Sequence, residues 1–270
     1  MHAHIIFFTA NESLQEIIMA ELNAAGYDGF ETKDDSLHAF INSEDFNTLF
    51  IAEISNKYQI DYEVKEVRNE NWNALWESNF QPVTVDNDIG IRAHFHPPFH
   101  DVRHEIIITP KMSFGTGHHA TTFLMMQQML QVNFTGKKIF DFGTGTGILA
   151  ILAEKLGAGK VLATDIDEWC ISNSLENTEQ NNCKCIQIVK SDTAYMNESF
   201  DIILANINKH IILECIKDLS AQLAQNGFIL ISGILAADEQ DMKEAAVKNE
   251  LNHISTSLKD KWIMMLFKKQ

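Results

Sequence analysis

The chain is poor in positive charge. Lys and Arg number 21 against 37 Asp and Glu, a formal net charge of -16. Nucleic acid is held largely by cations laid along its phosphates, so direct binding of that kind is not expected. The same balance suits a basic partner, and it favours solubility in any case. Cysteine is scarce as well. Cys170, Cys183, Cys185 and Cys215 form no CxxC pair, and the Cys183-x-Cys185 spacing is not that of a zinc knuckle, so reduced structural thiols are expected. No apolar run approaches the ~18 residues that span a bilayer, and the stretch Met1–Gln15 has neither a basic n-region nor a cleavage site. The expected location is the cytoplasm, without a membrane partner. Internal repeats and low-complexity tracts are missing too.

What remains is a globular composition, with 45% hydrophobic and 9% aromatic residues, which excludes wholesale disorder. At 270 residues the chain exceeds one ordinary domain, so two unequal domains are expected. In the first, His2–Thr9 reads as a strand, and Leu14, Ile17, Ile18 and Leu22 predict a helix over Ser13–Ala25 that Gly26 stops. Gly29–Thr32 and Ser36–Ile41 predict short strands, Phe46, Leu49, Phe50 and Ile54 a helix starting at Ser43, and Tyr62–Val67 a closing strand. The order β-α-β-β-α-β is the ferredoxin-like pattern, assigned to residues 1–65 with partner binding as its expected use. Polar Glu66–Glu70 is the expected linker, and residues 71–270 form the second domain.

There Trp72, Leu75, Trp76 and Phe80 recur at helical spacing, and strands are predicted over Pro82–Val85 and Gly90–Phe95. From Phe140 onward the apolar runs Val161–Thr164, Cys185–Val189, Ile202–Ala205 and Phe228–Ser232 alternate with helical stretches. A mainly parallel sheet covered on both faces follows.

Asp141–Ile148 reads DFGTGTGI, between strand-like Lys138–Phe140 and the apolar run Leu149–Leu152. Gly143, Gly145 and Gly147 permit tight curvature and remove β-carbons that would hold a ligand away, while the helix starting near Ile148 offers unpaired amides. A nucleotide-like ligand can lie against such a main chain. Downstream, KVLATDI at Lys160–Ile166 reads as a buried strand that delivers Asp165, where an acid can accept both ribose hydroxyls. The dinucleotide fingerprint GxGxxG asks for its third glycine where Ile148 stands, so the fit to NAD is imperfect. GxGxG behind an acid instead resembles the first motif of class I S-adenosylmethionine methyltransferases, in which that acid faces the methionine ammonium; Asp141 matches it.

A second glycine-flanked loop, SFGTGHHATT at Ser113–Thr122, leads into an amphipathic helix around Thr122–Gln131. This loop resembles the signature of the ribosomal protein L11 methyltransferases, the PrmA-type lysine methyltransferases: Phe114–Gly117, His119, Thr121 and Thr122 match it. DFGTGTGILAI, the acidic turn at 165–167, LANI at 204–207 and SGIL at 232–235 are similar too, and NWNALWESNFQPV resembles the start of that family's catalytic domain. Lys111 departs from the glycine usual after the proline of the loop, and Thr144 and Thr146 replace smaller or sulfur-bearing residues.

The resemblance implies a class I methyltransferase Rossmann-like doubly wound sheet preceded by a small ferredoxin-like domain, S-adenosylmethionine as cofactor, and a large-subunit ribosomal protein as substrate, modified on lysine and N-terminal amines. It implies that Gly143 and its neighbours contact the methionine part, that Asp165 takes the ribose, and that Thr122 reaches the cofactor. Asn206 ends the strand-like DIILAN at the carboxyl edge where open α/β sheets place ligands, and its amide carbonyl can accept a hydrogen bond from the incoming amine. Asp192 either takes the adenine amino group or caps a helix. The signature loop is either a mobile lid or a fixed cap.

Other readings make different demands. A methyltransferase of another protein or of a small molecule shares the cofactor turn, but the glutamine enzymes carry Asn-Pro-Pro-Tyr where this chain has Asn206-Ile207-Asn208-Lys209. An NAD-dependent dehydrogenase shares the turn and Asp165. An RNA-binding use of the first domain lacks the basic and aromatic strand signature. A metal site drawn from His94, His96, His100, His104, His118 and His119 lacks the cysteines or carboxylates to complete a set, so surface and loop histidines are expected.

Overall fold

The computed structural model describes residues 2–9, 11–27, 29–33, 35–42, 45–67, 80–111 and 113–270. Its contacts divide the chain into two units, Met1–Asn79 and Phe80–Gln270. The predicted helical stretch of Trp72, Leu75 and Trp76 and the end of the expected linker lie outside the described residues.

The first unit runs β1 (His2–Phe8), α1 (Glu12–Ala24), β2 (Gly29–Lys33), β3 (Ser36–Asn42), α2 (Thr48–Tyr58) and β4 (Asp61–Val67). Its sheet has the order β2-β3-β1-β4, with antiparallel neighbours throughout. The two-residue period of strands puts Ala3, Ile5 and Phe7 opposite Ile41, Ala39 and Leu37, and all six are core residues. Ile18 and Leu22, one turn apart on α1, complete that core with Ile51 and Ile54 of α2. Helix α2 starts later than its apolar spacing predicts. Asn47 caps it by accepting from the Leu49 and Phe50 amides at 3.0 and 3.3 Å. That start turns Ile51 and Ile54 inward and leaves Leu49 76% exposed.

The second unit opens with a small sheet of β5 (Val83–Val85), β6 (Ile89–Arg92) and β7 (His104–Ile107). There follow α3 (Ala120–Met129), β8 (Lys138–Phe142), α4 (Ile148–Lys155), β9 (Lys160–Asp165), α5 (Glu168–Gln180), β10 (Ile186–Lys190), β11 (Phe200–Asn206), α6 (Lys209–Gln222), β12 (Leu223–Leu235), α7 (Glu239–Lys248), β13 (Leu251–Lys259) and β14 (Trp262–Lys269). The large sheet has the order β10-β9-β8-β11-β12-β14-β13. The first five strands are parallel; β14 and β13 join antiparallel.

Both faces of this sheet are apolar, and alternation sorts them. Ile139, Val161, Ala163, Ile202, Leu204 and Leu230 belong to one core layer, with α3 and α4. Their neighbours Phe140, Leu162, Ile203, Ile229 and Ile231 belong to the other, with α6 and α7. This is why the strands read as unbroken hydrophobic runs. Each buried Ile, Leu or Phe contributes roughly 1.5–3 kcal/mol, so the double layer is a firm platform. Helix α3 was predicted amphipathic, yet Ala120, Thr121, Thr122, Leu124, Met125, Met126 and Met129 are all buried. It meets β12 and β14 as well as β5, so little of it faces water. No helix among the described residues is long and apolar enough to cross a membrane.

The chain leaves β8 in one direction, through β9 to β10, and returns to the other side of β8 with β11. Such a reversal opens a crevice at the carboxyl ends of the two central strands. Phe142 on β8 pairs with Ala205 on β11, which sets Gly143 and Asn206 side by side at that edge.

Candidate active site

Between the end of β8 and the start of α4 the chain turns through residues 143–147. Gly143 has φ 76° and Gly145 φ 55°. A β-carbon on Gly143 would lie 2.4 Å from Ile207 Cγ2, and one on Gly145 would lie 2.4 Å from the Phe114 carbonyl oxygen. The first glycine therefore admits the residue after β11, and the second admits the signature loop. The end of β9 holds the turn from the other side. Thr164 carbonyl accepts from the Gly143 and Thr144 amides, each at 2.9 Å, and Asp165 Oδ2 accepts from the Gly145 amide at 2.9 Å. Asp165 Oδ1 takes the Asp167 amide at 3.0 Å. Each carboxylate oxygen keeps a further acceptor site for a ligand hydroxyl.

The two threonines of the glycine turn that depart from the family pattern are fasteners. Thr144 Oγ1 donates to Asp141 Oδ2 at 2.5 Å. Thr146 donates twice into the signature loop, from its amide to the Phe114 carbonyl at 3.0 Å and from Oγ1 to the Gly115 carbonyl at 2.5 Å. The loop is thus tied to the glycine turn by its main chain.

A cavity of about 590 Å³ opens at the crevice, lined by Gly143, Gly145, Asp165, Asp192, Thr122 and Asn206 among others. That volume falls among those of small-molecule sites, roughly 300–1,000 Å³. Six predicted residues thus meet in one place. Two others sit elsewhere. Asp141 is 1% exposed and does not line the cavity. Its carboxyl lies under the turn, where burial pushes its pKa up to about 7; the Thr144 hydroxyl pulls it down, Asp165 pushes it further up, and the Ala150 amide pulls it down. Gly147 also faces away, since a β-carbon there would meet Ser174 Cβ at 3.1 Å. It lets α5 close against the turn. No helix follows Asp192, so its place on the cavity wall is not that of a cap.

Asn206 Nδ2 donates to Thr122 Oγ1 at 3.3 Å. Its Oδ1 is buried and has no hydrogen-bond partner among the described residues. An unmet buried acceptor costs roughly 1–3 kcal/mol. The next residue, Ile207, is seated between two glycines: its side chain against Gly143 and its carbonyl oxygen 2.2 Å from where a β-carbon of Gly233 would be. Gly233 has φ 85° and sits where the β12–β14 register shifts, between Ile231 and Ile234.

Spacing alone missed part of the wall. His119 was expected among surface and loop histidines, but it caps α3, with Nδ1 accepting from the Thr121 amide at 3.3 Å, and it lines the cavity. Its ring meets Phe114 and Trp262 edge-on, with centroids 5.2 and 4.9 Å away. Trp262 arrives from the start of β14, more than fifty residues after Asn206, and carries no local signal. Ile211 and Cys215 on α6, with Asn208 at its N-cap, recur at helical spacing, a legible stripe once that face is known to border the cavity. The strand predicted over Gly90–Phe95 stops at Arg92, and the His96 amide closes a turn on the Ala93 carbonyl at 3.1 Å, so His94 and His96 lie beyond the strand. No group of three or more His, Cys, Asp and Glu among the described residues is gathered to hold a metal.

Comparison with known proteins agrees with this geometry. Residues 8–270 match the family model described as ribosomal protein L11 methyltransferase (PrmA). The ribosomal protein L11 methyltransferase of Porphyromonas gingivalis is 36% identical over 264 residues, 95% of this chain and 91% of that one. That of Chlorobaculum tepidum is 36% identical over 281 residues, covering 98% and 96%. Among solved structures, a ribosomal protein L11 methylase from Lactobacillus delbrueckii subsp. bulgaricus superposes with a TM-score of 0.65 at 30% identity, covering 71% of this chain and 100% of that one. A methyltransferase from Pyrococcus furiosus, 19% identical with a TM-score of 0.51, shares the fold. With its mixed sheet of the class I methyltransferase type and a match that runs nearly from end to end, the chain belongs to the ribosomal protein L11 methyltransferase (PrmA) family.

Proposed function

We propose that this chain uses S-adenosylmethionine to methylate ribosomal protein L11, on lysine side-chain and N-terminal amino groups. The observation that carries the reading is the meeting, in one cavity, of a bare glycine turn, Asp165 and Asn206. The cradle fits the cofactor because it is main chain with side-chain acceptors at its rim. S-adenosylmethionine, when bound, supplies a methyl group already activated on a sulfonium leaving group, so the protein has chiefly to position and desolvate.

In this reading Gly143 and Gly145 leave main chain open to the methionine part, Asp165 accepts the ribose hydroxyls, and Asp192 accepts from the adenine amino group. Asp141 and Gly147 support the turn from beneath and behind. A lysine amine with a reference pKa of about 10.4 is mostly charged at neutral pH, and leaving water lowers that value. Once neutral, the amine donates one N–H to Asn206 Oδ1, which fixes the direction of its lone pair. The Thr122 hydroxyl accepts from Asn206 Nδ2 and so steadies that side chain beside the cavity.

Residues 1–65 are assigned as a ferredoxin-like substrate-recognition domain, 66–70 as the linker, although Glu66 and Val67 still pair in β4 with Ala3 and His2, and 71–270 as the methyltransferase domain. The β-α-β-β-α-β succession and the strand order β2-β3-β1-β4 support the first assignment. A ribosomal-protein substrate goes with a cytoplasmic location and needs no direct contact with nucleic acid.

The test is transfer of labelled methyl groups from S-adenosylmethionine to purified L11, with mass spectrometry to locate them. Label on lysine and N-terminal nitrogen is expected. No transfer to L11 that a known L11 methyltransferase does modify would overturn the substrate, and calorimetric binding of NAD without affinity for S-adenosylmethionine would overturn the reaction class.

A further inference from the structure

Helix α5 carries asparagine at 173, 177 and again at the capping position 181, a spacing of four that sets all three on one face. Asn173 and Asn177 are fully buried. An extended segment runs along that face in the opposite direction, and the asparagine amides bond it as a neighbouring strand would. Asn181 Oδ1 accepts from the Ile107 amide at 3.0 Å, and its Nδ2 donates to the Ile107 carbonyl at 2.6 Å. Asn177 Oδ1 accepts from the Thr109 amide at 2.7 Å, and Asn173 Nδ2 donates to the Thr109 carbonyl at 3.2 Å. The spacing works because four helical residues rise about 6 Å and two strand residues about 6.6 Å.

Asn177 does one thing that Asn181 does not. Its Nδ2 donates to the Thr146 carbonyl at 2.8 Å. Thr146 in turn holds the Phe114 and Gly115 carbonyls, while the adjacent Gly145 amide is bonded to Asp165. One buried side chain therefore joins the segment leading into the signature loop to the glycine turn, and it does so without lining the cavity.

We propose that Asn177 is a positioning residue for the cofactor site, setting the distance between the signature loop and the glycine turn. The inference rests on the cofactor assignment made above. Its chemistry is specific to asparagine: one oxygen must accept from Thr109 while one nitrogen donates to Thr146. Aspartate keeps the first bond and turns the second into a repulsion between a carboxylate and a carbonyl. Asn181 makes two bonds to the same segment and none to the turn, so it is the control for general loss of packing.

The experiment measures binding of S-adenosylmethionine by calorimetry, thermal midpoints, and kcat and KM for L11, in wild type, Asn177→Asp, Asn177→Ala and Asn181→Ala. Both Asn177 variants are expected to weaken cofactor binding about tenfold or more, equivalent to about 1.4 kcal/mol. Asn181→Ala is expected to lower the thermal midpoint comparably while leaving cofactor affinity within about twofold. Equal cofactor affinity in wild type and a folded Asn177→Asp overturns the proposal. So does an equal loss of affinity in Asn181→Ala, which would reduce Asn177 to packing. Wild type that binds no S-adenosylmethionine overturns the cofactor assignment itself, and this inference with it.

Discussion

Asp141 is the residue whose ionisation the fold changes most legibly. Its pKa rises from 3.8 to about 7 because burial disfavours the carboxylate. An acid raised in the folded state binds more protons there than in the unfolded chain. Its contribution to stability is full below pH 3.8, falls as pH rises, and is gone above about 7. Asp141→Asn should remove that slope, so the stability gained by the variant over wild type should grow with pH across that window and then level off. Denaturant titrations of cofactor-free protein from pH 4 to 8 check this; parallel pH profiles would contradict it. Two site residues should separate binding from transfer. Asp165→Ala should weaken cofactor binding roughly ten- to a hundredfold, the loss of bonds to a charged acceptor. Asn206→Ala should lower kcat by roughly tenfold or more with cofactor affinity little changed if, as proposed, it orients the amine. Equal cofactor affinity in wild type and Asp165→Ala would remove the ribose assignment. Asp165, Gly143 and Gly145 were legible because a strand-turn-helix spacing fixes them. That Asp141 lies beneath the turn was not, because it depends on Thr144 and on the Ala150 amide reaching back to it.

Among the elements, the sheet was the easiest to read, since runs such as Ile202–Ala205 alternate between two dry layers and have no polar face to mislead. Helix starts were harder. The apolar spacing that includes Phe46 extends before Thr48, but Asn47 takes the cap and rotates Leu49 into water. The two C-terminal strands that bring Trp262 to the cavity went unread, since β13 is mostly polar along an exposed edge. The irregularity between β12 and β14 also has a local cause: Gly233 adopts a positive φ and lets the Ile207 carbonyl approach. Gly233→Ala should therefore act on transfer. Alanine costs roughly 1–2 kcal/mol in that conformation and collides with the Ile207 main chain, which carries Asn206. A fall in kcat larger than the change in cofactor affinity is expected, and the opposite ratio would contradict it.

At the scale of the whole molecule, charge is the property that substrate capture should report. With a net charge of -16 the protein should attract a basic substrate over distances comparable to the Debye length, about 10 Å at 0.1 M salt. kcat/KM for a basic protein substrate should fall as sodium chloride is raised from about 0.05 to 0.3 M, mainly through KM, whereas cofactor affinity should hold nearly constant. A salt-independent KM would show that the acidity serves solubility alone. The seat of Ile207 has a consequence for how such an enzyme can change. With absent methyls of Gly143 and Gly233 on either flank, the seat of Ile207 has no slack, and one added carbon at either glycine is felt next door at Asn206. Ile211 and Cys215 line the cavity from α6 and are not among the atoms that crowd either glycine. New acceptors are therefore to be sought by resculpting that helical wall, with the seat of Ile207 left untouched.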